Sequence, residues 1–547
     1  MLTQCFQSRF STGSGVPPIQ HLILSQRSRD SLKKGNRLNV TENQSAFGVS
    51  HGSALNTYKM SHACVTAGQH KAIFDILTDD VLLEVFDCYR QTSMGQWNGT
   101  WKWTTLVHVC RRWRNIIFGS PRRLDLWLLC TYGTPVRRRL DIWPTWPIVI
   151  KYWANLEFKP PSPEDEDNLI AALEHPDRVR EIQLSLTSSL LEKVAERMLV
   201  RFPALTSLSL WLDRGTGTPR TFPAAFLAGC ASRLRDISLV GISFPRLPEF
   251  LASATDLVSL RLLEVPGAGH IFPDVIATCL SKLPHLRILS IEFHSPPSCR
   301  YNQEHRRPRI LTRDTLPSLT RFDFRGTSEY LEDFVTRIDA PFLSQVDITF
   351  FNQLIFDIPQ LSRFIGQMKG LRSAKVAEVE SSPGNGVSIA IPLDSDQPYS
   401  FTPSYLGQIL SFRITCTYLD WQISSMAQIC RQVISFLSNV EHLDIRADFI
   451  RKENDMESIA WLDFFHSFPS VEMLRISGEL GPLIAPALDG VDKEMIRDVL
   501  PELRKLLFEC SRNSAPVEHF VAARELSNRP VDVQHALFPC VWDYSYT

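Results

Sequence analysis

Several features that commonly reveal a function are missing from the 547 residues. The 12 cysteines are scattered singly with no Cys-x-x-Cys pair, which argues against a zinc site or a disulfide framework and predicts reduced thiols in the cytoplasm or nucleus. No apolar run reaches the roughly 18 residues of a transmembrane helix, so no membrane span is predicted. The net charge of −1 gives no global field that would attract nucleic acid or a membrane surface.

Catalytic signatures are also missing. The chain has no Gly-x-Ser-x-Gly elbow, no His-Glu-x-x-His helix and no Walker loop. Gly267-Ala-Gly269 begins like a dinucleotide-binding fingerprint, but Phe272 stands where the third glycine belongs. The histidines and aspartates do not cluster along the chain. We therefore expect a protein that is not an enzyme and that holds no metal or cofactor.

The composition is that of a folded protein with more than one unit. A chain of this length exceeds one compact core, so two or more domains or one elongated array are expected. Residues 1–70 differ from the rest, because they are rich in Ser, Gln, Asn and Gly and have no sustained apolar period. This composition predicts a disordered tail, although the basic excess in its first half weakly resembles a mitochondrial presequence.

Two amphipathic helices are predicted after this tail. In residues 76–90 (ILTDDVLLEVFDCYR), Thr78 can cap a helix whose stripe of Leu82, Val85 and Phe86 is widened by further apolar side chains. In residues 104–124 (TTLVHVCRRWRNIIFGSPRRL), a stripe runs from Leu106 to Ile117 and the helix ends at Gly119. The first helix has more apolar surface than one neighbour covers, so it is either central in its domain or covered by a partner.

These two segments resemble an F-box, a helical module of roughly fifty residues. The run Phe118-Gly-Ser-Pro-Arg-Arg-Leu-Asp-Leu and the Trp-Pro pairs that follow are similar to a large group of mushroom-type (basidiomycete) fungal F-box proteins. The resemblance implies a substrate-recognition subunit of a Skp–cullin–F-box ubiquitin ligase, whose F-box binds the small Skp-type adaptor. The adaptor-binding residues it implies are Leu77, Val81, Leu82, Val85, Phe86, Val109, Cys110 and Trp113.

One departure keeps an alternative open. Thr78 stands where the family usually has a proline that helps to shape the adaptor contact. The chain could therefore be a protein-interaction scaffold whose F-box no longer binds the adaptor.

The long second part of the chain contains an irregular repeat. The pattern apolar-x-x-apolar-x-apolar recurs with steps of 23 to 29 residues between the first five units, and longer steps later. Such periods are typical of leucine-rich repeats, in which a short strand alternates with a helix. The asparagine usual in that repeat is missing, so an irregular solenoid is expected. The units begin at Val179, Leu205, Leu234, Leu257, Leu286, Leu319, Leu343, Leu371, Val440, Val471 and Leu503.

The predicted fold class is a small all-α F-box module followed by an α/β leucine-rich-repeat-like solenoid with a parallel sheet; an unrelated α/β fold is the alternative. The expected domains are a disordered tail (1–70), the F-box (71–120), a connecting segment with an entry strand (121–164), the solenoid (165–510) and a C-terminal cap or tail (511–547). Two loops, 295–309 and about 380–403, are expected to interrupt the solenoid.

The partner of the solenoid is predicted from one face of its sheet. Side chains between the inward anchors mix both signs of charge with one large aromatic, which suits a protein substrate of unknown identity. They are Trp211, Arg261, Glu292, Asp323, Arg325, Asp347, Asp444, Arg446 and Arg475. Nucleic-acid binding is a rival interpretation, because residues 111–139 hold eight arginines interleaved with aromatics. We expect no nucleic acid and no membrane as partners.

Overall fold

A computed structural model places the chain in two compact units, residues 1–123 and 124–547. The residues it describes are 77–91, 106–119, 125–131, 133, 135–143, 146–153, 162–213, 221–296, 313–353, 355–382, 386–392, 408–415, 419–447, 458–476, 480–490, 498–509 and 517–536. The predicted tail, and most of both predicted loops, lie outside these residues.

The first unit contains both predicted helices, α1 (Asp79–Gln91) and α2 (Arg111–Gly119), which contact each other. Thr78 acts as predicted at the start of α1, because its Oγ1 accepts a hydrogen bond from the Val81 amide at 3.5 Å. The second helix begins later than predicted. Cys110 takes the capping position: its Sγ accepts from the Trp113 amide at 3.4 Å and its carbonyl from the Arg114 amide at 3.1 Å.

Within the described residues, the second unit is built on one sheet of 16 strands, in the order β1-β2-β3-β4-β5-β6-β7-β9-β11-β14-β13-β12-β15-β16-β17-β18. Neighbouring strands are parallel everywhere except on the two sides of β13. A separate pair joins β8 to β10. The strands are β1 (Leu126–Leu129), β2 (Ile148–Trp153), β3 (Val179–Leu186), β4 (Ser207–Leu212), β5 (Asp236–Val240), β6 (Ser259–Val265), β7 (Ile288–Phe293), β8 (Asp314–Thr315), β9 (Arg321–Gly326), β10 (Ile338–Asp339), β11 (Gln345–Phe351), β12 (Val376–Ser382), β13 (Gly386–Pro392), β14 (Gln408–Thr415), β15 (His442–Ala447), β16 (Met473–Ile476), β17 (Lys505–Glu509) and β18 (Asp532–Ala536).

Helices alternate with these strands and cover the face that carries the repeat's anchors. In β9, for example, the ring of Phe322 lies 5.8 Å from that of Phe334 and 6.3 Å from that of Phe364, each on a following helix. The helices are α3 (Val136–Ile142), α4 (Pro163–Leu173), α5 (Ser188–Arg197), α6 (Leu247–Leu251), α7 (Pro273–Leu280), α8 (Ser328–Val335), α9 (Pro359–Ile365), α10 (Leu419–Gln432), α11 (Ile434–Leu437), α12 (Ser458–Phe465), α13 (Gly481–Asp489) and α14 (Glu518–Leu526). A large, mostly parallel sheet alternating with helices is consistent with the predicted α/β solenoid.

The repeat pattern correctly identifies the inward positions in most units. Ile182, Leu184, Leu208 and Leu210 are each at most 1% exposed, as anchors of β3 and β4. The prediction fails in one unit, where Val376 was taken as the last anchor.

There the inward residues are Ala377 and Val379, while Val376 lies in register with His442, whose side chain is exposed. The cause is the 3-10 helix Lys369–Ser373, which delays the start of β12 and moves the anchors three residues along the chain.

The predicted parallel sheet contains one antiparallel strand, β13, which is antiparallel to both of its neighbours. Residues 386–392, inside the second predicted loop, form this strand instead. Gly386 opens it with φ +83°, and a Cβ added there would meet the carbonyl oxygen of Ile414 at 1.7 Å. Only glycine allows the two backbones to approach this closely.

The sheet extends beyond the predicted repeat region at both ends. The predicted entry strand is β1, and β2 follows it before residue 165. At the other end, α14 and β18 add a further unit after residue 510. Arg524 of α14 is 1% exposed and donates hydrogen bonds to the carbonyls of Leu500, Pro501 and Leu503, so it ties this last unit to the loop before β17.

Candidate functional site

The candidate site is the face of the sheet opposite the anchors, here called the open face. Strand residues between the inward anchors form rows across this face, because parallel strands pair in register. All nine residues predicted to bind a partner lie on it, and each is half-buried: Trp211, Arg261, Glu292, Asp323, Arg325, Asp347, Asp444, Arg446 and Arg475. The alternation of each strand was enough to place them on one face, although they are spread from β4 to β16 and do not form one cluster.

Tryptophans lie on the open face of three of the first four strands, β1, β2 and β4. The rings of Trp153 and Trp211 lie 4.7 Å apart, and the ammonium of Lys151 lies 4.1 Å above the ring of Trp127. Burial lowers the pKa of Lys151, against the opposing field of Glu181. Sequence reasoning identified only Trp211 here. The alternation in Ile148–Trp153 is the signal that would have revealed Lys151 and Trp153.

A cluster of three arginines and three acids lies at the middle of the open face, on β7, β9, β11 and β14. We call it the central ion cluster. Within it, Arg321 Nε donates to both carboxylate oxygens of Asp323, at 3.0 and 3.1 Å, and Ser290 Oγ donates to the same carboxylate at 2.7 Å. Asp323 is therefore fully engaged inside the protein. The members are Glu292, Arg321, Asp323, Arg325, Asp347 and Arg413.

The other two arginines of this cluster are not engaged in the same way. Within the described part of the chain, neither Arg325 nor Arg413 forms a hydrogen bond or a close ion pair. Arg325 lies 5.8 Å from the ring of Phe351, and its Nε is buried without a partner. Both arginines are in register with Thr349, one on each side.

Burial raises the pKa values of two acids in the central ion cluster. It raises the pKa of Glu292 to about 7, with Arg325 opposing the shift and Asp323 adding to it. Burial likewise raises the pKa of Asp347, while Arg413 opposes that shift. Glu292 consequently changes charge near neutral pH.

The charged residues nearer the end of the sheet neutralise one another. Arg446 Nε donates to Asp444 Oδ2 at 3.1 Å, and Arg475 bridges Asp444 at 3.5 Å and Glu509 at 2.6 Å. Glu378, in register with Asp444, has a pKa raised by burial. Sequence reasoning missed Glu378 because of the shifted anchors in its unit.

The residues predicted to bind an adaptor are divided between buried and exposed positions. Leu82 and Phe86 are each 1% exposed, and the Phe86 ring lies 4.8 Å from that of Trp113, so these side chains pack inside the protein. Val81 and Val109 are 42% and 58% exposed. Cys110 is also exposed, whereas Leu77, Val85 and Trp113 are half-buried.

Arg112 joins the two helices of the first unit. Its Nη2 donates to Asp79 Oδ1 at 2.8 Å and to the carbonyl of Leu77 at 2.5 Å. One of the arginines noted in the basic stretch thus holds the start of α1 against α2.

The described residues contain no group of three or more His, Cys, Asp or Glu side chains placed to hold a metal ion. None of their helices combines the length and the apolarity that crossing a membrane would need.

The chain resembles known proteins only among solved structures. No protein-family model and no curated protein matches it. Among solved structures, it is similar to the leucine-rich repeat-containing protein LegL7 from Legionella pneumophila, with 12% identity over 75% of this chain and 99% of that one. The TM-score is 0.25, too low for any conclusion to rest on the likeness.

Proposed function

We propose that this chain is the substrate-recognition subunit of a Skp–cullin–F-box ubiquitin ligase. In this proposal the open face binds a protein substrate, and the helices α1 and α2 bind the adaptor. The chain would then speed ubiquitin transfer by holding the substrate near the ubiquitin-carrying subunit. In that position the substrate's lysines are at a high effective concentration. The chain itself supplies no chemistry.

The observation that carries the protein-binding part is the composition of the open face. Its row of half-buried arginines, acids and tryptophans is rich in the residue types that dominate protein interfaces, Trp and Arg above all. The adaptor part rests on the resemblance of residues 71–120 to an F-box. Val81 and Val109 support it, since they leave apolar surface exposed on or next to the two helices.

A second candidate is a protein-interaction scaffold that binds no adaptor. Thr78 favours it, because the threonine stands at the position where the family usually has a proline. Against this, the Thr78 side chain and carbonyl accept from the Val81 and Leu82 amides, so the start of α1 is formed without a proline.

Co-purification with the Skp-type adaptor of the same organism separates the two candidates. Val81→Lys and Val109→Lys should each reduce adaptor binding by at least about tenfold, because a buried interface cannot accept an unpaired ammonium. Asn115→Lys is the matched control, since it adds the same charge at an exposed polar position of α2. If the folded wild type binds no adaptor, the ligase proposal is refuted and the scaffold is retained.

A further inference from the structure

Among the described residues, two arginines of the open face have no partner, and the Nε of one of them, Arg325, is buried without one. Arg325 and Arg413 are half-buried and, within the described residues, form no hydrogen bond or close ion pair. Burying an unpaired charge or donor costs free energy, so native proteins pair such groups. Arg446 and Arg475, nearer the end of the sheet, show the usual outcome, because each is paired with a carboxylate, Asp444 and Glu509 respectively.

The two arginines lie on either side of one residue. Arg325 lies on β9 and Arg413 on β14, and both are in register with Thr349 on the strand between them. At the usual strand spacing their Cα atoms lie about 10 Å apart, a span that two arginine side chains can close from both sides onto one group. The Thr349 hydroxyl adds a third donor between them.

We propose that Arg325, Thr349 and Arg413 form a carboxylate-binding site that holds an Asp or Glu side chain of the protein partner. The inference rests on the proposed function, since it assigns a ligand group to the same open face. An arginine fork matches a carboxylate with two parallel hydrogen bonds, so this site would fix the register of an extended partner segment on the sheet.

The charge of the surroundings favours a carboxylate over a phosphate. The central ion cluster contains three arginines and three acids, so its formal charge is zero when every member is ionised. Glu292 is in register with Arg325 on the neighbouring strand, and Asp347 lies two residues before Thr349 on β11. A group with one negative charge meets less repulsion from these acids than a phosphate that carries nearly two.

Proton uptake by Glu292 would relieve the remaining repulsion. The charged groups that act on Glu292 are Arg325 and Arg413, which favour its ionised form, and Asp323 and Asp347, which disfavour it. A bound carboxylate adds a further negative charge and raises the proton affinity of Glu292. Because the pKa of Glu292 is already about 7, binding and protonation are coupled near neutral pH.

The test is selection of random, unphosphorylated peptides on the full-length chain, followed by affinity measurement of the selected peptides by calorimetry. We expect one acidic position in the selected set. Changing that acid to its amide, or introducing Arg325→Gln with Arg413→Gln in the protein, should weaken binding by about tenfold or more. Arg372→Gln, at an exposed arginine of the 3-10 helix before β12, should have no effect.

The possible outcomes separate this inference from the proposal on which it rests. Peptides without a shared acid, or acidic peptides whose affinity survives the double substitution, would refute the carboxylate site and leave the open face as a protein-binding surface. No selected peptide at all would count against both. Phosphoserine in place of the acid should bind no more tightly; tighter binding near pH 8 would show that the ligand class is wrong.

A pH series tests the site without altering the arginines. If Glu292 is fully protonated in the complex, the acidic peptide binds about tenfold more tightly near pH 6 than near pH 8. Glu292→Gln should remove this dependence while preserving the high affinity. An affinity that rises with pH, or that stays constant in the wild type, would overturn the coupling and with it the placement of the ligand beside Glu292.

Discussion

Replacing Glu292 by glutamine should make the stability of the folded chain less sensitive to pH. The pKa of Glu292 is raised by burial from its ordinary value of 4.5 to about 7. The folded chain therefore keeps this proton to a higher pH than the unfolded chain does. Between these two values the folded state binds more protons, so its stability is present at lower pH and is lost as the pH rises.

The magnitude follows from the gap between the two pKa values. Between pH 4.5 and about 7, the free energy of unfolding should fall by at most about 3 kcal/mol. This is an upper bound, because the half-buried carboxylate keeps part of its contact with water. Glutamine cannot ionise, so the Glu292→Gln variant should match the wild type near pH 5. Near pH 8 the variant should be the more stable by up to this amount.

Thermal unfolding at a series of pH values measures the effect. We expect the melting temperature of Glu292→Gln to rise above that of the wild type as the pH increases, with a crossover below neutral pH. Glu196→Gln, an exposed position on α5, should follow the wild type throughout. A difference between Glu292→Gln and the wild type that is constant across the range would refute the reasoning. So would a variant that loses stability at high pH, since Arg325 would then be stabilising the ionised carboxylate.

Two further predictions concern the sheet. Gly386→Ala should destabilise the protein by at least about 2 kcal/mol in urea unfolding, because φ is +83° and the new Cβ meets the Ile414 carbonyl; Gly267→Ala, with open space around it, should change little. Equal losses of unfolding free energy in the two variants would show that β13 and β14 can move apart without a loss of stability. Phe322→Ala should cost about 3–5 kcal/mol as a fully buried anchor, whereas Leu199→Ala, at 40% exposure, should stay within about 0.5 kcal/mol; similar losses would mean that the anchors do not form the core.

The sequence predicts much of the open face because strands have a period of two. Once Leu289 and Ile291 are recognised as inward anchors, Glu292 must point to the other side, and parallel register aligns it with its neighbours. The same logic fails where an anchor is misplaced. With Val376 taken as an inward anchor, Glu378 was not predicted to lie on the open face. The true anchors, Ala377 and Val379, are also two residues apart, so the error is in their position and not in their spacing.

Other members of the face depend on contacts between segments distant in sequence. Arg413 is adjacent to Thr349 only because β14 returns to pair with β11 after the chain has built β12 and β13. No local pattern encodes that reversal, since an apolar alternation fits parallel and antiparallel strands equally well. Gly386 predicts a turn, but the sequence does not show which strand its backbone will approach.

Sequence alone determined the elements of this protein: two amphipathic helices, a repeat of strand and helix, and an open face of mixed charge and tryptophan. It could do so because propensity, capping and periodicity are properties of neighbouring residues. The tertiary structure decided which charges meet. Arg475 on β16 pairs with Asp444 on β15 and Glu509 on β17, while Arg325 and Arg413 form no ion pair within the described residues, because pairing across strands depends on register, burial and the inserted antiparallel strand. Charge pairing of this kind is settled only by the three-dimensional fold.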